Sequence, residues 1–262
     1  MPTMQAGLET DPKRCFDLSG RTAIVTGASS GLGAHFARVL AGGGADVVLA
    51  ARRLERIEML AGSISENGGR AAAVVADVTN AEDCDRLVET ALKAFGRVDV
   101  LVNNAGIAYT GRRDNSPVEE MRQVFEVNVL GGYGLALRAA QSMGDGASII
   151  NLSSALGFRP AGFPTPAYST SKAAVMRLTR ELALQLAGQG IRVNGIAPGF
   201  FPSELTEGER GRYLEKAFTD HSLLRRVGRL EELDGVLLLL ASQASSYITG
   251  LVIPVDGGWA LA

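Results

Sequence analysis

Thr26-Gly27-Ala28-Ser29-Ser30-Gly31-Leu32-Gly33 follows the apolar run Ala23-Ile24-Val25 and leads into residues with helical patterning. A strand that ends in a glycine-rich turn and opens a helix makes a site for a pyrophosphate. The glycines let the chain reverse tightly and let a ligand approach the main chain. Unpaired N–H groups at the helix start, with the positive end of the helix dipole, favour the negative charge. Gly27, Ser29, Ser30, Gly31, Leu32 and Gly33 are therefore candidate cofactor-binding residues. Glycine clusters also occur in ordinary turns, so the reading depends on what surrounds this one.

Short β-branched runs alternate with longer helical patterns on either side of it. Strands are expected at Thr22–Thr26, Asp46–Ala50, Ala72–Ala76, Val98–Val102, Ala147–Leu152, Arg192–Ile196 and Leu251–Val255. Helices are expected at Leu32–Ala41, Leu54–Glu66, Ala81–Phe95, Val118–Ser142, Tyr168–Leu186 and Leu230–Ala241. In Ala81–Phe95 the apolar residues Leu87, Val88, Ala91, Leu92 and Phe95 recur at helical spacing between charged ones. Strands that are apolar throughout imply a sheet covered on both faces, with parallel strands and helical crossovers. The fold class is α/β, a Rossmann-type doubly wound parallel sheet of about seven strands. Ligands of such sheets bind outside the carboxyl ends of the strands.

Composition narrows the function classes. The 262 residues are 46% hydrophobic, enough for a sizeable core, and 26 basic against 28 acidic residues leave a net charge of −2. That balance gives no reason to expect nucleic acid or an anionic membrane as partner. Cys15 and Cys84 cannot build a disulfide framework and suit a reducing, cytoplasmic setting. No apolar run approaches the roughly 18 residues of a membrane span. Residues 1–17 are polar and read as a loosely held extension, with one domain over 18–262. Within that domain, the irregular segment around 199–228, beginning at Pro198, is expected to act as a lid.

The end of the second strand bears on which dinucleotide is bound. An acidic residue about 20 positions past the glycines holds the ribose 2′-hydroxyl of NAD in such folds. Here Ala51 is followed by Arg52 and Arg53; Asp46 sits at the wrong end of the strand and Glu55 in the next helix. A guanidinium there suits a 2′-phosphate, so NADP(H) is expected, with Arg52 as its main contact and NAD(H) as the alternative.

Tyr168-Ser169-Thr170-Ser171-Lys172 places a phenol and an ammonium one turn apart on a helix face. At ~4 Å and an effective dielectric of ~20, the lysine charge would favour the phenolate by up to ~3 pKa units. Such a pair can tune a general acid–base. It gains weight from Asn151-Leu152-Ser153-Ser154, which ends the fifth strand at the same edge as the glycine turn.

With these residues assembled, the chain resembles the short-chain dehydrogenase/reductase family from about Leu18 onward. The likeness rests on the glycine turn, Asn103-Asn104-Ala105-Gly106, Asn128, Ser154 with Tyr168 and Lys172, and Pro198-Gly199. The resemblance implies hydride transfer between a nicotinamide and a carbonyl or alcohol carbon. By position, Tyr168 would exchange the proton and Ser154 would hold the substrate oxygen. Lys172 would lower the tyrosine pKa and bind the nicotinamide ribose, and Asn128 would help hold a relay water. Asn104, Ala105 and Gly106 would line the cofactor cleft, Asp77 and Val78 would meet the adenine, and Pro198 and Gly199 would complete it. Ser154 is preferred to Ser153 because the family serine precedes x-x-Gly, as in Ser154-Ala155-Leu156-Gly157. Enoyl reductases fit less well because they space Tyr and Lys more widely.

The substrate end is less determined. Phe158, Phe163, Phe200 and Phe201 either line an apolar pocket or fill core. Arg112, Arg113 and Arg159 either receive an anionic group or are solvated. His35 and His221 lack metal-ligand spacing and read as structural. A carbonyl such as a 3-oxoacyl thioester is the leading substrate. A polyol or sugar acid, or a dinucleotide sensor without turnover, are the alternatives. Resemblance also implies a homotetramer or homodimer. Contacts would come from the helices near Val118 and Tyr168, helped by Ala173 and Ala174, and from the stretch Thr249-Gly250 to Asp256-Gly257-Gly258.

Overall fold

The computed structural model describes residues 14–108, 116–160, 164–202 and 208–262, with side chains from 212 onward in the last stretch. Seven strands form one sheet: β1 (Thr22–Thr26), β2 (Asp46–Ala51), β3 (Ala71–Val75), β4 (Val98–Asn103), β5 (Met143–Leu152), β6 (Arg192–Pro198) and β7 (Val252–Val255). Their order is β3-β2-β1-β4-β5-β6-β7, and every pairing is parallel. The crossovers carry α1 (Gly31–Gly42), α2 (Leu54–Glu66), α3 (Ala81–Phe95), α4 (Pro117–Phe125), α5 (Gly132–Ala140), α6 (Pro166–Leu186), α7 (Gly208–His221) and α8 (Asp234–Ala241). The order reverses between β1 and β4, which opens a crevice at the carboxyl edge.

Alternation along the strands builds two cores. Val25, Val47, Leu49, Val102 and Ile150 face Phe36, Leu40, Ile57 and Leu237 on one side. Ile24, Val48, Leu101, Ile149 and Val193 face Leu87, Leu135, Leu182 and Leu186 on the other. Each such fully buried side chain stabilises the fold by roughly 1.5–3 kcal/mol. The helices between them start and stop on local signals. The Asn80 side chain accepts from Asp83 N at 2.9 Å to cap α3, and Gly96 ends it at φ +81°.

Three expectations are corrected. β5 begins at Met143, because Met143 pairs with Val98 before the ladder breaks and resumes at Ser148 opposite Val100. Gly146, at φ +79°, accommodates that irregularity and disguises the strand as a loop. The long helix expected over Val118–Ser142 is interrupted by a π-turn at Glu126–Gly131 and ends at Ala140. The helix expected over Leu230–Ala241 opens with a 3-10 turn, Leu230–Leu233. The expected N-terminal extension lies outside the described residues up to position 13; Arg14–Phe16 form a 3-10 turn. No described helix is long and apolar enough to cross a membrane.

Candidate active site

The strand ends bring the expected residues to one edge. Gly27 (φ +66°) and Gly31 (φ +52°) adopt left-handed conformations that only glycine takes without strain. A Cβ on Gly33 would stand 2.3 Å from the Gly27 carbonyl oxygen, so the turn closes only because residue 33 is glycine. The Ser30 side chain does not cap α1, which leaves the first helical N–H groups available to an anion. This closed, uncapped turn fits a dinucleotide pyrophosphate.

Asn104 braces that turn. Its Nδ2 donates to Thr26 O at 2.9 Å, while the Thr26 hydroxyl accepts from the backbone N–H of Asn104 and Ala105, each at 3.0 Å. Its side chain thus ties β4 to β1. Arg53 also holds the turn. It donates to Ser29 Oγ (3.1 and 2.9 Å) and to Ser30 Oγ (2.8 Å). Arg52 is different: its side chain is 74% exposed, with Nη1 4.0 Å from the Asp77 carboxylate. Asp77 in turn accepts from Thr79 N and Oγ1, and Val78 packs against the π-turn at Gly131.

The π-turn explains Asn128. A π-turn re-aims side chains within a helix and recurs at functional sites. Here it buries the Asn128 amide, which accepts from Ile107 N at 2.8 Å and donates to Ile107 O at 2.9 Å. The same Nδ2 donates to Ser171 Oγ at 3.0 Å, and Ser171 Oγ donates to Tyr168 O at 2.7 Å. Both ends of the amide are engaged by protein groups. Its part here is to hold the Gly106–Ile107 backbone against α6. Gly106 packs closely on both residues, since a Cβ there would crowd Asn128 Oδ1 at 3.1 Å and touch Lys172 Nζ at 3.4 Å.

The two serines after β5 separate cleanly. Ser153 Oγ donates to Lys172 O at 2.7 Å, which commits it to pinning α6. Ser154 Oγ accepts from Leu156 N at 3.2 Å, and its hydroxyl lies near enough to the Tyr168 phenol to favour the phenolate. Gly157 allows this approach, because a Cβ there would lie 3.0 Å from the Ala173 backbone nitrogen. The x-x-Gly spacing thus has a steric cause.

Tyr168 and Lys172 do converge, but their electrostatics correct the expectation. Lys172 Nζ donates to Leu152 O at 2.8 Å and stands 5.6 Å from the centre of the Tyr168 ring. Burial lowers the Lys172 pKa to about 8. Burial also raises that of Tyr168, partly offset by the neighbouring Ser154 hydroxyl. Desolvation of both groups outweighs the attraction expected of the ammonium for the phenolate.

Gly199 completes the edge. Its N–H donates to Val255 O at 2.9 Å, and a Cβ would lie 2.8 Å from Asp256 Cα. Phe200 and Phe201 are buried and Phe158 is exposed; Phe163, Arg112 and Arg113 lie outside the described residues. His35 pairs with Asp234 at 2.6 Å, and His221 Nδ1 bonds Ala217 O at 2.8 Å. Sequence reasoning missed Ser171, although its place three residues after Tyr168 puts it on the same helix face.

Fold and site together define the class, a nicotinamide-dinucleotide oxidoreductase. A family model described as enoyl-(acyl carrier protein) reductase matches residues 27–260. A rhamnolipids biosynthesis 3-oxoacyl-[acyl-carrier-protein] reductase of Pseudomonas aeruginosa is 37% identical, covering 94% of this chain and 98% of that one. A short chain dehydrogenase from Burkholderia cenocepacia in complex with NADP superposes with TM-score 0.85 at 31% identity, covering 94% and 99%. A 7 alpha-hydroxysteroid dehydrogenase complexed with NADH superposes with TM-score 0.87 at 30% identity, covering 95% and 97%. The chain belongs to the short-chain dehydrogenase/reductase family. The matching model's description names enoyl reduction, whereas Tyr168 and Lys172 keep the four-residue spacing set apart from that branch above.

Proposed function

We propose that the chain is an NADP(H)-dependent reductase of ketones with an apolar body, with 3-oxoacyl thioesters as the best-matched class. The observation that carries this reading is the meeting of Ser154, Tyr168 and Lys172 beside the glycine turn. Held at the glycine turn and by Lys172, a bound NADPH would supply the hydride for the reduction. Tyr168 gives its phenolic proton to the substrate oxygen, and Ser154 holds that oxygen by a hydrogen bond. A raised tyrosine pKa suits reduction, since the phenol keeps its proton until the alkoxide forms. Lys172, mostly protonated at neutral pH, holds the ribose side of the cleft, and Asn128 keeps Gly106 in place beneath it.

Two further observations support the finer points. Arg52 retains donors for a 2′-phosphate where NAD-binding folds place a carboxylate. Next to Tyr168, Ala155, Leu156, Phe200, Phe218, Trp259, Leu214 and Val227 form an apolar cluster, which favours an acyl chain or ring over a polyol. NADPH consumption against a panel of 3-oxoacyl thioesters, bulky ketones and sugar acids tests the reading; turnover confined to sugar acids with NADH overturns it. We read the exposed Val118, Leu130 and Leu184 as subunit contacts of a homotetramer or homodimer. Sedimentation equilibrium at the monomer mass would overturn that.

A further inference from the structure

The chain turns back on itself just before its last residues. Gly257 (φ +64°) and Gly258 (φ +80°) form successive left-handed steps. The Asp256 carboxylate fixes the reversal by accepting from Gly258 N at 2.9 Å and Ala260 N at 2.8 Å. This device drives Trp259 inward until it is 1% exposed.

Trp259 joins neither of the two main cores. It belongs to the separate cluster beside Tyr168, with Ala155 and Leu156 after β5, Phe200 after β6, and Phe218 on α7. Its ring stacks on Phe218, with centroids 4.6 Å apart and planes inclined by 22°, and Phe218 meets Phe200 at 5.9 Å. The Arg159 guanidinium lies 4.6 Å from the Trp259 ring centre, and its Nη1 donates to Trp259 O at 3.4 Å. One side chain therefore touches both segments that flank the candidate substrate space. Phe200 and Phe218 also line a cavity of about 130 Å³. That space lets their rings shift once the stack is removed.

We propose that Trp259 is a positioning residue for the substrate. It holds the apolar wall through Phe218 and Phe200, and the segment after Ser154 through Arg159. Arg159 is thereby a structural cation stacked on an indole rather than a receptor for an anionic group. The inference rests on the carbonyl-reductase reading, and deepens it by assigning recognition of the substrate's apolar body to the C-terminal turn.

The test compares Trp259→Ala and Trp259→Phe with the unaltered enzyme, using NADPH and a short-chain or long-chain 3-oxoacyl N-acetylcysteamine thioester. In Trp259→Ala the KM for the long-chain substrate should rise about tenfold, with a much smaller rise for the short-chain one. The loss in kcat should be smaller than the rise in KM, the NADPH Kd should hold, and Trp259→Phe should recover most of the effect. Should Trp259→Ala fail to fold, Phe218→Leu serves instead. Trp259 is the only tryptophan, so its emission should shift to the red and become more quenchable by acrylamide in that variant, with the same KM pattern. Equal KM for the long-chain substrate, or equal rises for both substrates with matching loss of NADPH binding, overturns the inference alone. If the unaltered enzyme turns over neither thioester and no other ketone, the activity reading fails and this inference falls with it.

Discussion

The Lys172 ammonium stands 5.6 Å from the centre of the Tyr168 ring, held there by its 2.8 Å hydrogen bond to the Leu152 carbonyl. Both side chains come from one turn of α6, yet the partner that fixes the lysine lies at the end of β5. The sheet edge, as well as the helix, sets the geometry of the pair.

Burial of that ammonium has a measurable pH signature. The Lys172 pKa is about 8 in the fold against 10.5 for the free group. Between those values the unfolded chain binds more protons than the folded one, so stability rises with pH. The cost of the buried charge is fully present below pH 8 and is relieved above it. Relative to Lys172→Met, the unaltered protein should gain up to roughly 3 kcal/mol across this window. Urea unfolding at stepped pH reads the difference; a difference that stays flat contradicts the burial argument.

Arg52 and Arg53 should separate in cofactor titrations. If Arg52 holds the 2′-phosphate as proposed, Arg52→Ala should weaken NADPH about tenfold or more while leaving NADH nearly unchanged. Arg53→Ala should weaken both, because Arg53 holds Ser29 and Ser30 in the turn. Equal losses for the two cofactors in Arg52→Ala would refute its assignment.

Gly33→Ala would place a methyl group 2.3 Å from the Gly27 carbonyl oxygen and 2.5 Å from Asn104 Nδ2. The turn must open, at a cost on the order of 1–3 kcal/mol. Calorimetric titration should show dinucleotide binding reduced by ten- to a hundredfold on the order of that cost. Retained affinity would mean that the turn does not cradle the pyrophosphate.

Asn128→Ala strands the backbone N–H and C=O of Ile107 and leaves Ser171 Oγ only its bond to Tyr168 O. Leaving such groups unpaired should cost roughly 3 kcal/mol. Chemical denaturation checks this, and a change below about half a kcal/mol would show that the network is dispensable.

Much of this was legible in the residues. All seven strands show as short apolar runs, and the glycine turn, Ser154, Tyr168 and Lys172 mark the edge where the site forms. The start of β5 was hidden because Gly144 and Gly146 resemble a loop, and only pairing of Met143 with Val98 reveals a strand. The π-turn leaves no trace in apolar spacing, which runs through Glu126–Gly131 as in a plain helix. The x-x-Gly spacing already favours Ser154 over Ser153, whereas the bond that commits Ser153 to Lys172 O joins residues distant in sequence. The fall of the Lys172 pKa and the rise of the Tyr168 pKa depend on three-dimensional burial, which a four-residue spacing does not report. Trp259 went unread because its neighbours Arg159, Phe200 and Phe218 come from three remote segments.

In the proposed reaction Tyr168 delivers the proton that accompanies hydride transfer. NADPH carrying deuterium at the transferable C4 position, incubated with a long-chain 3-oxoacyl thioester, reads this through mass analysis of the alcohol. Label should appear in the product with the unaltered enzyme, and its rate should fall at least about a hundredfold with Tyr168→Phe, at unchanged NADPH affinity. Undiminished label transfer by Tyr168→Phe would contradict it.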